Sequence, residues 1–528
     1  MRARIAEGTS PEAILALTFS VRAASELRER VAQVGGGRIT ASTVHSLGLG
    51  VLRAHADLLG FKPGRRQPRV LGEDARASLM AQARDEKEYA QRKRAANAVD
   101  FGDMVELPLL LFQQHPEVAA LWRARYRAVF LDEAQDLSER QLALVLALAQ
   151  DAETFVAAGD PCQAIYGFAG SLGGEAIERL RAAFPDAEVE YLPHNLRSCA
   201  LIARFSGAIV GRAPDAPKDG GLVAVVPADS EREEAELIAA EVKRAISAGV
   251  AQPGQIAVLS RARDRLALVE QAMLKRRIPC HVHGKDGGLL KQPQVRDLLA
   301  HLAVGVDPSD NLALKRVASA HGLSVKAALA LRGDEPLLTV EHLHDGQRIA
   351  RLSHEDQEVV TYLQRILTRL KDVAELPPAE AVRRLAGPLK LDPGHASALG
   401  ALAASHSSVA DFLAELDAMS GDDPLAPKAE HVHLMTVHAA KGLEFEVVFL
   451  AAAEEGVLPS GSADTPEALA EEQRLAYVAC SRPRRALIIT FARQRGGAPT
   501  ESSRFLRGLP REGVRFRPPD WRALCATS

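Results

Sequence analysis

Aromatic residues make up only 4% of this 528-residue chain, and its five cysteines (Cys162, Cys199, Cys280, Cys480 and Cys525) are scattered with no CxxC pair. With no His/Cys zinc spacing either, that pattern argues against a metal cluster and suits a reducing compartment. No apolar run reaches membrane-spanning length and no charged-then-apolar leader opens the chain, so a cytoplasmic protein without membrane partners is expected. Net charge is only -3, so no global basic field advertises nucleic acid, and any such surface must be a local groove. What remains is an ordinary globular composition, 47% hydrophobic and 25% charged, in a chain long enough for several separate cores.

One stretch organises the rest. Ala128 to Leu131 is a short apolar run that ends in two adjacent carboxylates, Asp132 and Glu133. A buried strand delivering acids to its tip suits nucleotide hydrolysis, where one carboxylate holds Mg²⁺ and the next polarises the attacking water. A bare Asp-Glu pair is more often a solvated turn, so its companions must decide. Upstream, Ile14–Phe19 reads as a strand, and Ser20 is placed to cap the helix that follows. Residues 38–46 repeat the pattern, ending in Thr43, His45 and Ser46, groups that suit backbone-phosphate contacts. Residues 72–99 read as a small charged helical insertion. After the strand Thr154–Ala158 comes Gln163, which can sense a γ-phosphate, and then Tyr166 and Phe168 in a Gly-rich loop. In so aromatic-poor a chain, those two rings are expected to face unpaired bases rather than a core. Glu188–Leu192 reads as a further strand, residues 213–221 as a linker, and 222–227, 255–260 and 280–284 as the strands of a second α/β unit. Residues 312–430 read as a helical insertion, and strands at 432–437, 447–452 and 486–491 complete that unit.

The ordered segments TFSVRAASELRER, TVHS, LDEAQD, GDPCQAIYGFAG, NLRS, VHLMTVHAAKGLEF and EEQRLAYVACSRPR resemble motifs Ia through VI of the UvrD/Rep/PcrA superfamily 1 DNA helicases. The resemblance spans residues 14–492. It implies an α/β fold with two RecA-like parallel-sheet motor domains: 1–71 and 100–212 the first, 72–99 a short helical insertion, 222–311 and 431–528 the second, 312–430 a helical insertion. It further implies that Asp132 holds Mg²⁺, Glu133 is the general base, Gln163 contacts the γ-phosphate of ATP, and Arg197 and Arg482 neutralise phosphoryl charge. Glu444 would touch the ribose. Phe19, Thr43, His45, Tyr166, Phe168 and His438 would line a single-strand track, and Arg261 matches a family arginine. The implied activity is ATP-dependent 3′-5′ translocation on single-stranded DNA and at single-strand/duplex junctions, in repair or replication, with DNA-repair proteins as partners.

In that family a P-loop, GxxxxGK[ST], precedes these motifs, and none of the 528 residues spells one. Gly35-Gly36-Gly37-Arg38 has no lysine in place, and Gly284-Lys285-Asp286 lacks the upstream glycine and the hydroxyl. Met1 to Glu7 aligns with the helix that leaves the P-loop. The first domain is therefore expected to lack its P-loop strand, leaving neighbouring strands with open edges. Hydrolysis by the chain as it stands is expected to be weak or absent, because the N–H nest and lysine supply most β/γ-phosphate donors. The alternative is a helicase remnant that binds DNA without hydrolysing ATP. Leu196, Ala169 and Pro483 are smaller departures from the family pattern.

Overall fold

The computed structural model describes residues 1–33, 39–62, 68–81, 83–283, 290, 292–333, 335, 338–404, 406–418 and 431–521. The glycine-bearing runs 35–38 and 284–286 lie outside the described residues. The chain forms two compact units, each assembled from three segments: Met1–Asp132, Arg140–Val156 and Asp286–Leu425 in one, Glu133–Glu139, Ala157–Lys285 and Ala426–Ser528 in the other.

The first unit is built on strands β1 (Ile14–Thr18), β2 (Thr40–Thr43), β5 (Ala128–Leu131) and β6 (Thr154–Ala157), in the order β2-β1-β5-β6, with β3 (Arg69–Val70) and β4 (Ala98–Val99) paired separately. Every residue of β1 is buried, as expected of a strand covered on both faces and flanked by parallel neighbours. Ser20 caps the helix after β1: its Oγ accepts from the Ala23 N–H at 3.2 Å. Two short helices, Glu73–Ala81 and Glu86–Ala95, fill the predicted charged insertion. Among the described residues, eight α-helices between Pro293 and Ala418 enclose a second core around Leu298, Leu314, Leu363 and Phe412. Asp310, Ser324, Ser353 and Asp392 cap four of them.

The second unit holds a seven-stranded sheet of β7 (Leu222–Ala228), β8 (Ile256–Ser260), β9 (Cys280–Val282), β10 (Val432–Thr436), β11 (Phe445–Leu450), β12 (Pro483–Ala492) and β15 (Val514–Arg515), with β13 (Gln494–Arg495) and β14 (Ala498–Pro499) forming a separate hairpin. The order is β15-β7-β12-β11-β8-β10-β9, and all these pairings are parallel. Side chains alternate between two cores. Ala224, Val258, Leu434, Phe449 and Ile488 meet helices Glu231–Ser247 and Leu266–Lys275, whereas Val223, Leu259, Met435, Leu450 and Ile489 meet helices Ala200–Ile209 and Pro466–Cys480. Both faces of the sheet are therefore dry.

One predicted strand is absent. Residues 188–192 have an alternating Glu-Val-Glu-Tyr-Leu pattern but form no ladder, and Tyr191 and Leu192 are 86% and 92% exposed. A strand exists only where another edge accepts its hydrogen bonds, and among the described residues none pairs with this segment. In the first unit β6 is an edge strand, with Val156 46% exposed. Among the described residues, no helix is long and apolar enough to cross a membrane.

Candidate functional site

In the second unit, the N-terminal ends of β11 and β12 lie side by side: Phe445 pairs with Pro483, and the Phe445 N–H donates to Arg482 O at 3.1 Å. The residues immediately before these strands, Glu444 and Arg482, are thereby neighbours. Arg482 is fully buried, yet its guanidinium is held by neutral acceptors: Val478 O at 2.9 Å, Gln163 Oε1 at 2.9 Å, Ser481 Oγ at 3.0 Å and Leu443 O at 3.4 Å. Burial, and then the nearby Arg197 cation, pull its pKa down to about 9, against the opposing pull of Glu133 and Glu444. A desolvated cation with neutral partners is an acceptor site for an anion. Arg197 Nε donates to Glu444 Oε2 at 3.1 Å, and Arg484 donates to the other Glu444 oxygen. Burial alone would raise the Glu444 pKa, but Arg484 and Arg197 together hold it below its usual value.

Glu133 stands at φ 55° and ψ 44°, a left-handed conformation uncommon for a residue with a side chain. Gln135, completely buried, donates to Glu133 and accepts the Asp160 N–H at 2.9 Å. Gly159 leaves room for that amide; a Cβ there would stand 2.8 Å from Gln135 Oε1. Asp160 in turn accepts from the Gln163 side chain at 2.9 Å and from Arg212 at 2.8 Å. One network of polar groups thus fixes Glu133, Gln163 and Arg482. Asp132 is exposed at the end of β5, its N–H donating to Leu17 O at 2.8 Å.

The opposite, C-terminal ends of the strands carry different chemistry. After β10, His438 meets Phe168 edge-on at 5.5 Å between ring centroids, and Tyr166 lies 6.2 Å from Phe168 and 6.4 Å from His438. Phe168 is 72% exposed, so its ring is not core packing. Burial, Arg261 and Lys441 lower the His438 pKa to about 4, which keeps the imidazole neutral. Arg261, following β8, donates to the buried Glu472 at 2.8 Å. In the first unit, Phe19 is partly exposed after β1, and Thr43 is buried with its hydroxyl accepting the Ser46 N–H at 3.1 Å. His45 lies edge-on to Phe101 at 5.6 Å, and burial lowers its pKa. A cavity of about 290 Å³ beside them is lined by Arg28, Ser42, Thr43, Ser46 and Arg53, two cations and three hydroxyls.

Two family models match in tandem: the UvrD/REP helicase N-terminal domain over residues 2–86 and 60–180, and the UvrD-like helicase C-terminal domain over residues 191–331 and 395–494. The chain belongs to the UvrD/Rep helicase superfamily. It is 29% identical to the ATP-dependent DNA helicase UvrD1 of Mycobacterium tuberculosis (strain ATCC 25618 / H37Rv), over 98% of this chain and 81% of that protein. It is 26% identical to the ATP-dependent DNA helicase Rep of Escherichia coli (strain K12), covering 95% of this chain and 88% of that protein. The ATP-dependent DNA helicase PcrA of Leuconostoc citreum is likewise 26% identical, over 91% of this chain and 76% of that protein.

Within this UvrD/Rep scaffold, the second unit brings together Glu133, Gln163, Arg197, Glu444 and Arg482, with Tyr166, Phe168 and His438 along the other strand ends. Phe19, Thr43 and His45 cluster separately in the first unit. Sequence reasoning overlooked Lys441 and Asp136. Lys441 Nζ donates to both Asp136 oxygens at 2.6 Å and to Gln163 O at 2.6 Å, and it lies 5.0 Å from the Tyr166 ring centroid. Both partners sit inside quoted motifs, but a pairing across 305 positions leaves no local signal. The eight residues Val437–Glu444 that join β10 to β11 therefore carry His438, Lys441 and Glu444, linking the aromatic cluster to the arginine cluster.

Proposed function

We propose that this chain is an ATP-dependent DNA translocase and helicase of the UvrD/Rep type, moving 3′-5′ on single-stranded DNA and opening single-strand/duplex junctions during repair or replication. The observation that carries the reading is the buried Arg482, hydrogen-bonded to Gln163 and accompanied by Arg197, with no carboxylate among the described residues bonded to it. A phosphoryl group is the anion such a fork suits. Glu133, anchored by Gln135, would orient the attacking water, and Gln163 would follow the γ-phosphate. Arg482 and Arg197 would stabilise developing charge, a role worth about 10³–10⁵ in rate. Glu444 would meet the ribose. The carboxylate of Asp132 suits Mg²⁺, which when bound screens phosphate charge. Phe19, Thr43, His45, Tyr166, Phe168 and His438 would carry the DNA strand by stacking and backbone contacts. The motor-domain partition, 1–71 with 100–212 and 222–311 with 431–528, follows motif order, whereas the two compact units follow packing.

A second reading, DNA binding without hydrolysis, is favoured by one observation: residues 1–528 contain no GxxxxGK[ST] run. We infer that these 528 residues bind single-stranded DNA but turn over ATP weakly. DNA-stimulated ATP hydrolysis and oligo(dT) anisotropy on the same preparation test this. Expected are tight DNA binding, about tenfold weaker in Phe168→Ala, with little hydrolysis. Robust hydrolysis would mean that other groups hold the triphosphate, and a folded chain that ignores DNA would overturn both readings.

A further inference from the structure

Away from the arginine and aromatic clusters, the far edge of the seven-stranded sheet carries four histidines on one face. His281 on β9 pairs in register with His433 on β10, and His283 and His431 flank them two residues away along each strand. Because side chains alternate along a strand, 281 with 283 and 431 with 433 project to the same side. The rings interlock: centroids lie 4.8 Å apart for His281 and His283, 5.3 Å for His281 and His431, 5.1 Å for His283 and His433, and 5.2 Å for His431 and His433. Ligand nitrogens of His283, His431 and His433 all fall within 4.8 Å of one another, and the closest two, His283 Nε2 and His433 Nδ1, are 2.9 Å apart.

The second observation is an orphan. Nε2 of His431 is buried and, among the described residues, has no hydrogen-bond partner. A buried nitrogen left without a partner is unfavourable. Three imidazoles that converge within a few ångströms form the donor set of a borderline divalent cation. At a Zn–N bond of about 2.0–2.1 Å, tetrahedral ligand nitrogens stand about 3.3 Å apart, so closing this triad needs only small side-chain rotations.

We propose that His283, His431 and His433 bind one Zn²⁺, with the fourth position left to solvent, as a structural clasp on the sheet edge. The clasp has a mechanical rationale. Among the described residues, β9 is a three-residue edge strand paired with β10 alone, and the unit's sequence breaks off after Lys285 and resumes at Ala426. An ion shared by 283, 431 and 433 would tie the outgoing and returning segments to each other.

The test uses the tag-free 528-residue chain, stripped with a chelator and titrated with zinc chloride, with cobalt chloride in parallel. Expected are one ion per chain, a visible absorption band of four-coordinate cobalt, and a zinc-induced rise in the thermal midpoint. His431→Ala, a half-buried position outside the strand ladder, should weaken zinc binding by at least about 100-fold and abolish both the band and the rise. His354→Ala, on an exposed helix end, should change none of them. Should the wild-type chain bind substoichiometrically, or His431→Ala bind as well as wild type, the site is refuted. If His431→Ala fails to fold, His283→Ala on the last described turn of β9 gives the same comparison.

Discussion

Arg482 and His438 show how burial, which lowers the pKa of both, leaves different charges at the two ends of one sheet. Arg482 keeps its charge because a guanidinium is hard to neutralise, and so the site is poised for an anion. His438 yields, its pKa lowered to about 4 by burial and by the Arg261 and Lys441 cations. In the unfolded chain that imidazole titrates near its ordinary value of 6.5. Between these two values the unfolded chain binds the extra proton, so stability from the neutral ring is complete above 6.5 and is lost as pH falls toward 4. Thermal midpoints from pH 7 to pH 4 should therefore fall less steeply in His438→Asn than in the wild type. An unchanged slope would remove His438 from the acid response. DNA affinity between pH 6.5 and 8 should owe nothing to this residue's titration.

Among elements, the contrast between β5 and β6 is the instructive one. Both are short apolar strands of the same sheet, but Val129 on β5 is fully buried, whereas Val156 on the edge strand β6 is 46% exposed. Val129→Lys should prevent folding, since it buries an unpaired charge. Val156→Lys should change stability by less than about 0.5 kcal/mol in urea titration and reduce aggregation. Contiguous features were legible from sequence: β1 from its apolar run, the Ser20 cap, and the positions of strands β7, β8, β10, β11 and β12. Residues 188–192 misled because alternation records only what a strand would bury, while its existence depends on a partner elsewhere. Two distant pairings were equally invisible. Lys441 with Asp136 and His283 with His433 depend on register between remote segments, and scattered cysteines said nothing about histidines. In the arginine site, the residue types followed from motif order, but the burial of Arg482 and its neutral partners required the fold.

At the scale of the whole molecule, neither compact unit is a continuous piece of chain. The strands of the second sheet made first, β7, β8 and β9, do not pair with one another: β7 lies between β12 and β15, β8 between β11 and β10, and β9 beside β10. A chain stopped at residue 430 should therefore show rapid amide exchange through Leu222–Ala228 and Ile256–Ser260, which are protected in the full chain. Protection in the shortened chain would mean that these strands find other partners.

That pairing order turns the sheet into a problem of timing. β7 ends at Ala228 and its first partner starts at Pro483, some 255 residues later. At ribosomal speeds of about 5–20 residues per second, a bare Val- and Ala-rich strand waits roughly 13–50 s before it can be covered. For most of that interval, until β10 is made at Val432–Thr436, β8 and β9 wait unpaired in the nascent chain as well, and such bare strands are a natural target for chaperones that shield apolar segments. Its yield in a cell should then depend on elongation rate as much as on the stability of the finished fold.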